Sequence, residues 1–230
     1  MLTTVLNSST GLRKRGPTRR RGSYMSQSSL FDPVDRRPEE LLPCAGSALL
    51  HRGALDLQRA QSVFDELMEA VPWEQRSVQM FGKSVPQPRL VAWFGDGAPY
   101  TYSGLRLEPH PWLPLLVELR QICEKLAGTR FNSGLANLYR DGKDSVAWHA
   151  DDEPELGENP TIASMSLGAA RRFDLRHRDT GETVRTELPP GSVLVMSGAS
   201  QSAWVHQIPR TAKVSEPRIN LTFRWVGKHV

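Results

Sequence analysis

At 230 residues, 39% hydrophobic and 23% charged, the chain suits one domain with an ample core and an appended tail. No apolar run reaches the ~20 residues of a membrane span. The opening run Met1-Leu2-Thr3-Thr4-Val5-Leu6 lacks the apolar core of a secretory signal. The expectation is a protein that is not secreted and not membrane-bound, cytoplasmic in a bacterium and nuclear or cytoplasmic in a eukaryote. Cys44 and Cys123 are the whole cysteine complement, too few for a disulfide framework or a cysteine-rich zinc site.

The net charge of +4 is unevenly placed. Arg13, Lys14, Arg15, Arg19, Arg20 and Arg21 account for six of the 29 basic residues, leaving 23 against 25 acidic ones, a net of −2. Nucleic-acid binding by the body therefore needs a local patch rather than a global charge. Residues 1–50 read as a basic disordered arm and linker. The arm would add phosphate contact, serve in targeting, or lie upstream of a start at Met25. Residues 51–230 read as the folded domain.

Helical spacing begins near Asp56, with Leu57, Ala60, Phe64, Leu67, Met68 and Val71 recurring at three and four residues until Pro72 ends it. Met80-Phe81-Gly82-Lys83 reads as a turn. Residues 86–111 are rich in Pro, Gly and aromatics, and Tyr100 and Tyr102 stand two apart, as strand propensity alone would allow. Leu115, Leu116, Leu119, Ile122, Cys123 and Leu126 form a second amphipathic helix, stopped by Gly128. From there a period of two prevails, over 129–140, 161–167, 172–177, 183–188, 192–196, 203–208 and 218–226. Many short strands separated by Gly and Pro predict a sandwich or closed barrel.

Two stretches carry chemistry. In His149-Ala150-Asp151 an imidazole and a carboxylate at i and i+2 share one face of an extended chain. With His206 on a neighbouring strand they make a two-histidine, one-carboxylate face, the arrangement of non-haem iron(II) oxygenases. Such triplets also occur as surface pairs or core hydrogen bonds. The run 218–226 alternates without a break: Ile219, Leu221, Phe223 and Trp225 on one face, Arg218, Asn220, Thr222 and Arg224 on the other. It contains no acid. Either it is an edge strand with arginines in water, or the arginines face a polar interior and clamp a diacid by forked, charge-assisted hydrogen bonds.

Together these residues resemble the AlkB family of iron(II)- and 2-oxoglutarate-dependent nucleic-acid dealkylases. The matching pieces are Asn137-Leu138-Tyr139, His149-Ala150-Asp151-Asp152-Glu153, Ile162-Ala163-Ser164-Met165-Ser166-Leu167-Gly168, His206 and Pro217-Arg218-Ile219-Asn220-Leu221-Thr222-Phe223-Arg224. They stand in the family's order, and the similarity runs from about residue 81 to residue 225. It points to the branch of mammalian DNA-repair homologues, where Trp148-His149-Ala150-Asp151-Asp152-Glu153-Pro154 recurs.

The resemblance implies a mainly β (α+β) fold, a double-stranded β-helix or cupin-like jelly roll with flanking helices. It implies Fe(II) held by His149, Asp151 and His206, with 2-oxoglutarate and O2 as co-substrates. Arg218 and Arg224 would bind the 2-oxoglutarate carboxylates, assisted by Asn220, Asn137 and Tyr139. The implied partner is alkylated DNA, with RNA also open. The implied reaction is demethylation of 1-methyladenine and 3-methylcytosine, with succinate and formaldehyde as products, by a monomer. A lid over about 77–111 would bring Tyr100 and Tyr102 to a flipped base, and Phe81 would fill the gap it leaves. Asp152 and Glu153 would attract the cationic lesion, ordinary surface acids being the alternative. The competing functional reading is a 2-oxoglutarate-dependent hydroxylase or demethylase of protein or a small molecule.

Overall fold

The computed structural model describes the backbone of residues 37–80, 83–96, 100–102, 105–107 and 109–227, and the side chains of these except 78–80, 100–102 and 105–107. The elements run β1 (Glu39–Glu40), β2 (Ser47–His51), α1 (Leu57–Ala70), β3 (Glu74–Met80), β4 (Lys83–Gly95), β5 (Tyr100–Tyr102) and β6 (Leu105–Leu107). Next come α2 (Pro114–Ala127), β7 (Ser133–Tyr139), β8 (Val146–His149), β9 (Ile162–Gly168), β10 (Arg171–His177) and β11 (Thr183–Leu188). The last are β12 (Ser192–Ser197), α3 (Ser200–Ala203), β13 (Trp204–Ile208) and β14 (Arg218–Arg224).

An eight-stranded sheet has the order β1-β2-β12-β9-β14-β7-β4-β3, and a four-stranded sheet the order β11-β10-β13-β8. β5 and β6 pair separately. All these pairings are antiparallel. Two facing antiparallel sheets with strands exchanging between them make the expected jelly roll.

β14 organises the larger sheet. It lies between β9 and β7, and all seven of its residues are buried. The edge-strand reading is therefore excluded. Ile219, Leu221 and Phe223 join α1 and α2 in one apolar cluster with Leu67, Leu116, Leu119, Ala163 and Met165. A side chain so removed from water contributes about 1.5–3 kcal/mol, which fixes the register. Arg218, Asn220, Thr222 and Arg224 then necessarily face the other sheet.

The helices sit where periodicity puts them. Asp56 caps α1 by accepting from the Arg59 N–H at 2.8 Å. Gly128 ends α2 at φ 66°, the left-handed conformation that favours glycine. α1 buries Ala60, Val63, Phe64 and Leu67; α2 buries Leu115, Leu116, Leu119 and Cys123.

Two boundaries need correction. Composition places the start of the folded domain at residue 51, but β2 pairs with β12 from Ser47 to His51, and Ala48 and Leu50 are fully buried. The linker composition hid a strand of the main sheet. The second concerns the lid over 77–111. Its middle is core: Val91, Ala92, Trp93 and Phe94 are buried, and β4 pairs with β7 from Leu90 to Gly95. Pro86 and Pro88, just ahead of it, masked an apolar run that a strand buried on both faces should have. A chain cut to begin at residue 52 exposes the hydrogen-bonding edge of β12 and is expected to aggregate. Size-exclusion chromatography with light scattering would show it, and a monomeric product melting normally would refute this role for β2.

Candidate metal centre and co-substrate pocket

β8 and β13 are neighbours, with His149 directly opposite His206. Their ring centroids are 4.3 Å apart. Asp151 lies just past the end of β8, not within a strand as i, i+2 spacing suggested. Its carboxylate and the two imidazoles nonetheless bring one ligand atom each to within 4.8 Å of one another. The His149 Nδ1 is 2.8 Å from the Ala147 carbonyl. A carbonyl only accepts, so Nδ1 carries the proton and Nε2 keeps its lone pair for a metal.

The electrostatics suit a dication. Burial lowers the His206 pKa to about 3, reinforced by His149, and burial also lowers that of His149. Burial alone would raise the Asp151 pKa, but Arg224, His206 and His149 overcome it and hold the carboxyl at about 2. Near neutral pH the three groups are two neutral imidazoles and one carboxylate, the protonation a metal requires. Asp151 Oδ2 is 2.9 Å from Arg224 Nη2, while the buried Oδ1 has no hydrogen-bond partner among the described residues. An orphaned buried carboxylate oxygen beside two free imidazole lone pairs fits Fe(II).

The His206 shift has a consequence for the metal-free protein. Its folded pKa lies below its unfolded value of about 6.5, so the unfolded chain takes up the proton first. Stability should be insensitive to this group above about pH 6.5 and fall as pH drops from there toward 3. Melts between pH 7 and 4 should show a steeper fall in wild type than in His206→Gln; identical slopes would refute the assignment.

Beside the triad a cavity enclosing about 480 Å³, its mouth included, is lined by Arg89, Asn137, Tyr139, Ser164, Arg218, Asn220, Thr222 and Arg224, with Leu135, Phe173, Met196 and Ile208 among its apolar walls. Arg218 is 1% exposed. Its Nη2 donates to Ser166 Oγ at 2.9 Å, whereas Nε and Nη1 have no hydrogen-bond partner among the described residues. Burial presses its pKa down to about 10, opposed chiefly by Tyr139, so it stays a cation. Asn220 Nδ2 donates to Ser164 Oγ at 2.7 Å, and Arg89 Nε donates to Asn137 Oδ1 at 2.8 Å. The Tyr139 ring has the Arg218 guanidinium 5.2 Å and the Arg171 guanidinium 5.6 Å from its centroid. A buried cation with unmet donors asks for an anionic oxygen ligand.

All eight residues expected to bind the metal or co-substrate thus meet at one place. The substrate residues do not. Asp152 turns outward, 56% exposed, and pairs with Arg178 at 2.8 Å. Glu153 precedes the 3-10 turn Pro154–Leu156, and neither acid lines the cavity. Tyr100 and Tyr102 lie on β5 opposite Leu107 and Leu105, their side chains outside the described residues. Phe81 also lies outside the described residues.

Sequence reasoning missed Arg89 and Gln201. Arg89 opens the buried run of β4, and one arginine heading an apolar strand was the available signal. Gln201 accepts from the Asp151 N–H at 3.0 Å, which no spacing rule announces. Arg171 donates to the carbonyls of Asp141, Asp144 and Pro209 at 2.9–3.0 Å and ties two loops together.

Two histidines and a carboxylate inside a jelly roll, opening on a buried cationic pocket, define the site of a non-haem iron, 2-oxoglutarate oxygenase. A family model described as the 2OG-Fe(II) oxygenase superfamily matches residues 47–224. The chain is 48% identical over 184 residues to Alpha-ketoglutarate-dependent dioxygenase alkB homolog 3 of Bos taurus, covering 76% of this chain and 64% of that protein. It is 43% identical over 178 residues to DNA oxidative demethylase ALKBH2 of Mus musculus, covering 72% and 74% respectively. The solved structure of OsALKBH1 superposes with a TM-score of 0.59 at 16% identity, over 81% of this chain and 100% of that one, and shows the shared fold. The chain belongs to the 2OG-Fe(II) oxygenase superfamily and, within it, to the AlkB family. It spans just under two thirds of the length of the alkB homolog 3 protein.

Proposed function

We propose that this chain is an oxidative demethylase that repairs N-alkylated bases, 1-methyladenine and 3-methylcytosine, in DNA, and that RNA is also accepted. The observation that carries the reading is the triad of His149, Asp151 and His206 within 4.8 Å, set beside the unmet donors of Arg218. The similarity to proteins named as alkB homolog 3 and DNA oxidative demethylase supports the substrate class.

When bound, Fe(II) lets O2 oxidise both partners: 2-oxoglutarate leaves as succinate and CO2, and the hydroxylated N-methyl group leaves as formaldehyde. The chain's own residues bind and orient. His149, Asp151 and His206 hold the metal, and the Ala147 carbonyl fixes the His149 tautomer. Arg218 and Arg224 receive the two carboxylates of the diacid. Asn220, Asn137 and Tyr139 complete the pocket wall, and Arg89 holds the Asn137 amide. The apolar walls exclude water around these charges, which strengthens each contact.

At the substrate side we assign Tyr100 and Tyr102 to stacking on the extruded base, worth ~1–3 kcal/mol per base. Phe81 fills the vacated stack, and Asp152 and Glu153 draw in the cationic base. Asp152 can do so only if it leaves Arg178, an exposed pair that costs about 0–1 kcal/mol to break. The working form is a monomer. Succinate and formaldehyde release on methylated and unmethylated oligonucleotides tests the proposal. Release should depend on the methyl group; equal release on both would refute it. Phe81→Ala should slow repair of duplex by about tenfold relative to single strand, and equal effects on both would dismiss the wedge.

A further inference from the structure

The Asp151 backbone N–H sits beyond the end of β8 and has no strand ladder to join. It donates instead to Gln201 Oε1 at 3.0 Å, a partner 50 residues away. Gln201 is 1% exposed and belongs to α3, the single turn that leads directly into β13 and His206. Its amide can point only one way. Oε1 meets a donor, whereas Nε2 meets Ser200 Oγ at 3.3 Å and Met196 Sδ at 3.5 Å, both able to accept. On the outer side Arg178 Nη2 reaches Asp152 Oδ2 at 2.8 Å and the Gln201 carbonyl at 3.5 Å. The turn that delivers the carboxylate is therefore fastened, inside and outside, to the element that delivers the second histidine.

We propose that Gln201 is a positioning residue for the metal centre, its side-chain carbonyl fixing the Asp151 turn so that the carboxylate meets an ion already facing His149 and His206. This rests on the reading that the triad binds a divalent metal. The two histidines need no such help, because ladder pairing sets them opposite each other. Asp151 has left the ladder, so its placement depends on whatever holds the turn. Groups one step removed from a metal commonly act in this way, by orienting the ligands that touch it.

The test is Co(II) binding to the full chain, followed by visible d–d absorption, with folding checked by circular dichroism and thermal melting. Gln201→Met keeps the volume and removes the acceptor. It should raise the Co(II) Kd about 10- to 100-fold and alter the d–d spectrum. Gln201→Glu keeps an acceptor oxygen and should stay within about threefold of wild type. Ser200→Ala, at the other end of the amide, should do the same. Should Gln201→Met fail to fold, Gln201→Asn, whose amide is drawn back by one methylene, carries the same expectation. A wild-type Kd and spectrum in Gln201→Met or Gln201→Asn, even with a lower melting temperature, would reduce Gln201 to a packing role and overturn the proposal. Failure of the underlying reading looks different: wild type would not bind Co(II), or would bind it equally well after His149→Ala.

Discussion

Asp151→Ala is expected to abolish succinate formation and, unlike the loss of any other ligand, to destabilise the metal-free protein. The activity loss should exceed the 10–100-fold typical of groups one step removed from a metal. The stability loss has a separate cause. The side chains of Asp151 and Arg224 are 3% and 4% exposed and 2.9 Å apart. Removing the acid breaks a buried ion pair, which costs about 3–5 kcal/mol. For a domain of this size that is roughly 6–20 °C in Tm. Asp151→Asn should behave similarly, because the charge and not the volume is what Arg224 needs. His206→Ala makes the contrast: activity is lost as completely, but no buried charge is stranded. Parallel melts and succinate assays decide it. Normal turnover by Asp151→Ala would end the iron assignment; normal stability would end the ion-pair argument alone.

The second large effect is expected at Arg218 and has opposite signs for activity and stability. Truncating one partner of a buried charged pair costs about 2–5 kcal/mol, so Arg218→Met should lower kcat/KM for 2-oxoglutarate by about 30- to several-thousand-fold. Arg218→Lys should not restore it, since a point charge cannot reproduce the planar fork. The metal-free protein, however, should melt no lower, and about 1–4 kcal/mol of stabilisation is within range when an unmatched buried charge becomes an apolar side chain. Among the described residues, two of its three guanidinium nitrogens lack hydrogen-bond partners, so the empty fold carries a desolvated cation for the sake of its ligand. Titration of 2-oxoglutarate against succinate production, beside melts of the apo forms, measures both. An unchanged KM would remove Arg218 from the co-substrate site.

What could be read in the sequence follows from what periodicity encodes. Strict alternation in β14 told which residues share a face, and burial of Ile219, Leu221 and Phe223 against the helices then turned Arg218 and Arg224 inward. The pairing of β8 with β13 was not legible from spacing, because the paired residues His149 and His206 stand 57 positions apart and meet only through tertiary structure. The AlkB resemblance supplied that step. β2 and the core half of β4 were lost to composition: prolines shortly precede both, while strand membership depends on hydrogen bonding to β12 and β7. Gln201 could not be found at all from spacing, since its role is to satisfy one backbone N–H that exists only because Asp151 lies off the ladder.

β8 is the border strand of the four-stranded sheet, tied to β13 at His149 and Val146 with an irregularity between the two. So sparse a seam frays easily, and the same seam carries a ligand on either side. Closing a metal between the two imidazoles would rivet it shut, adding binding free energy to a loosely sewn margin of the barrel. Loss of the ion then means more than lost chemistry: it leaves the border strand easier to open to solvent and to proteases.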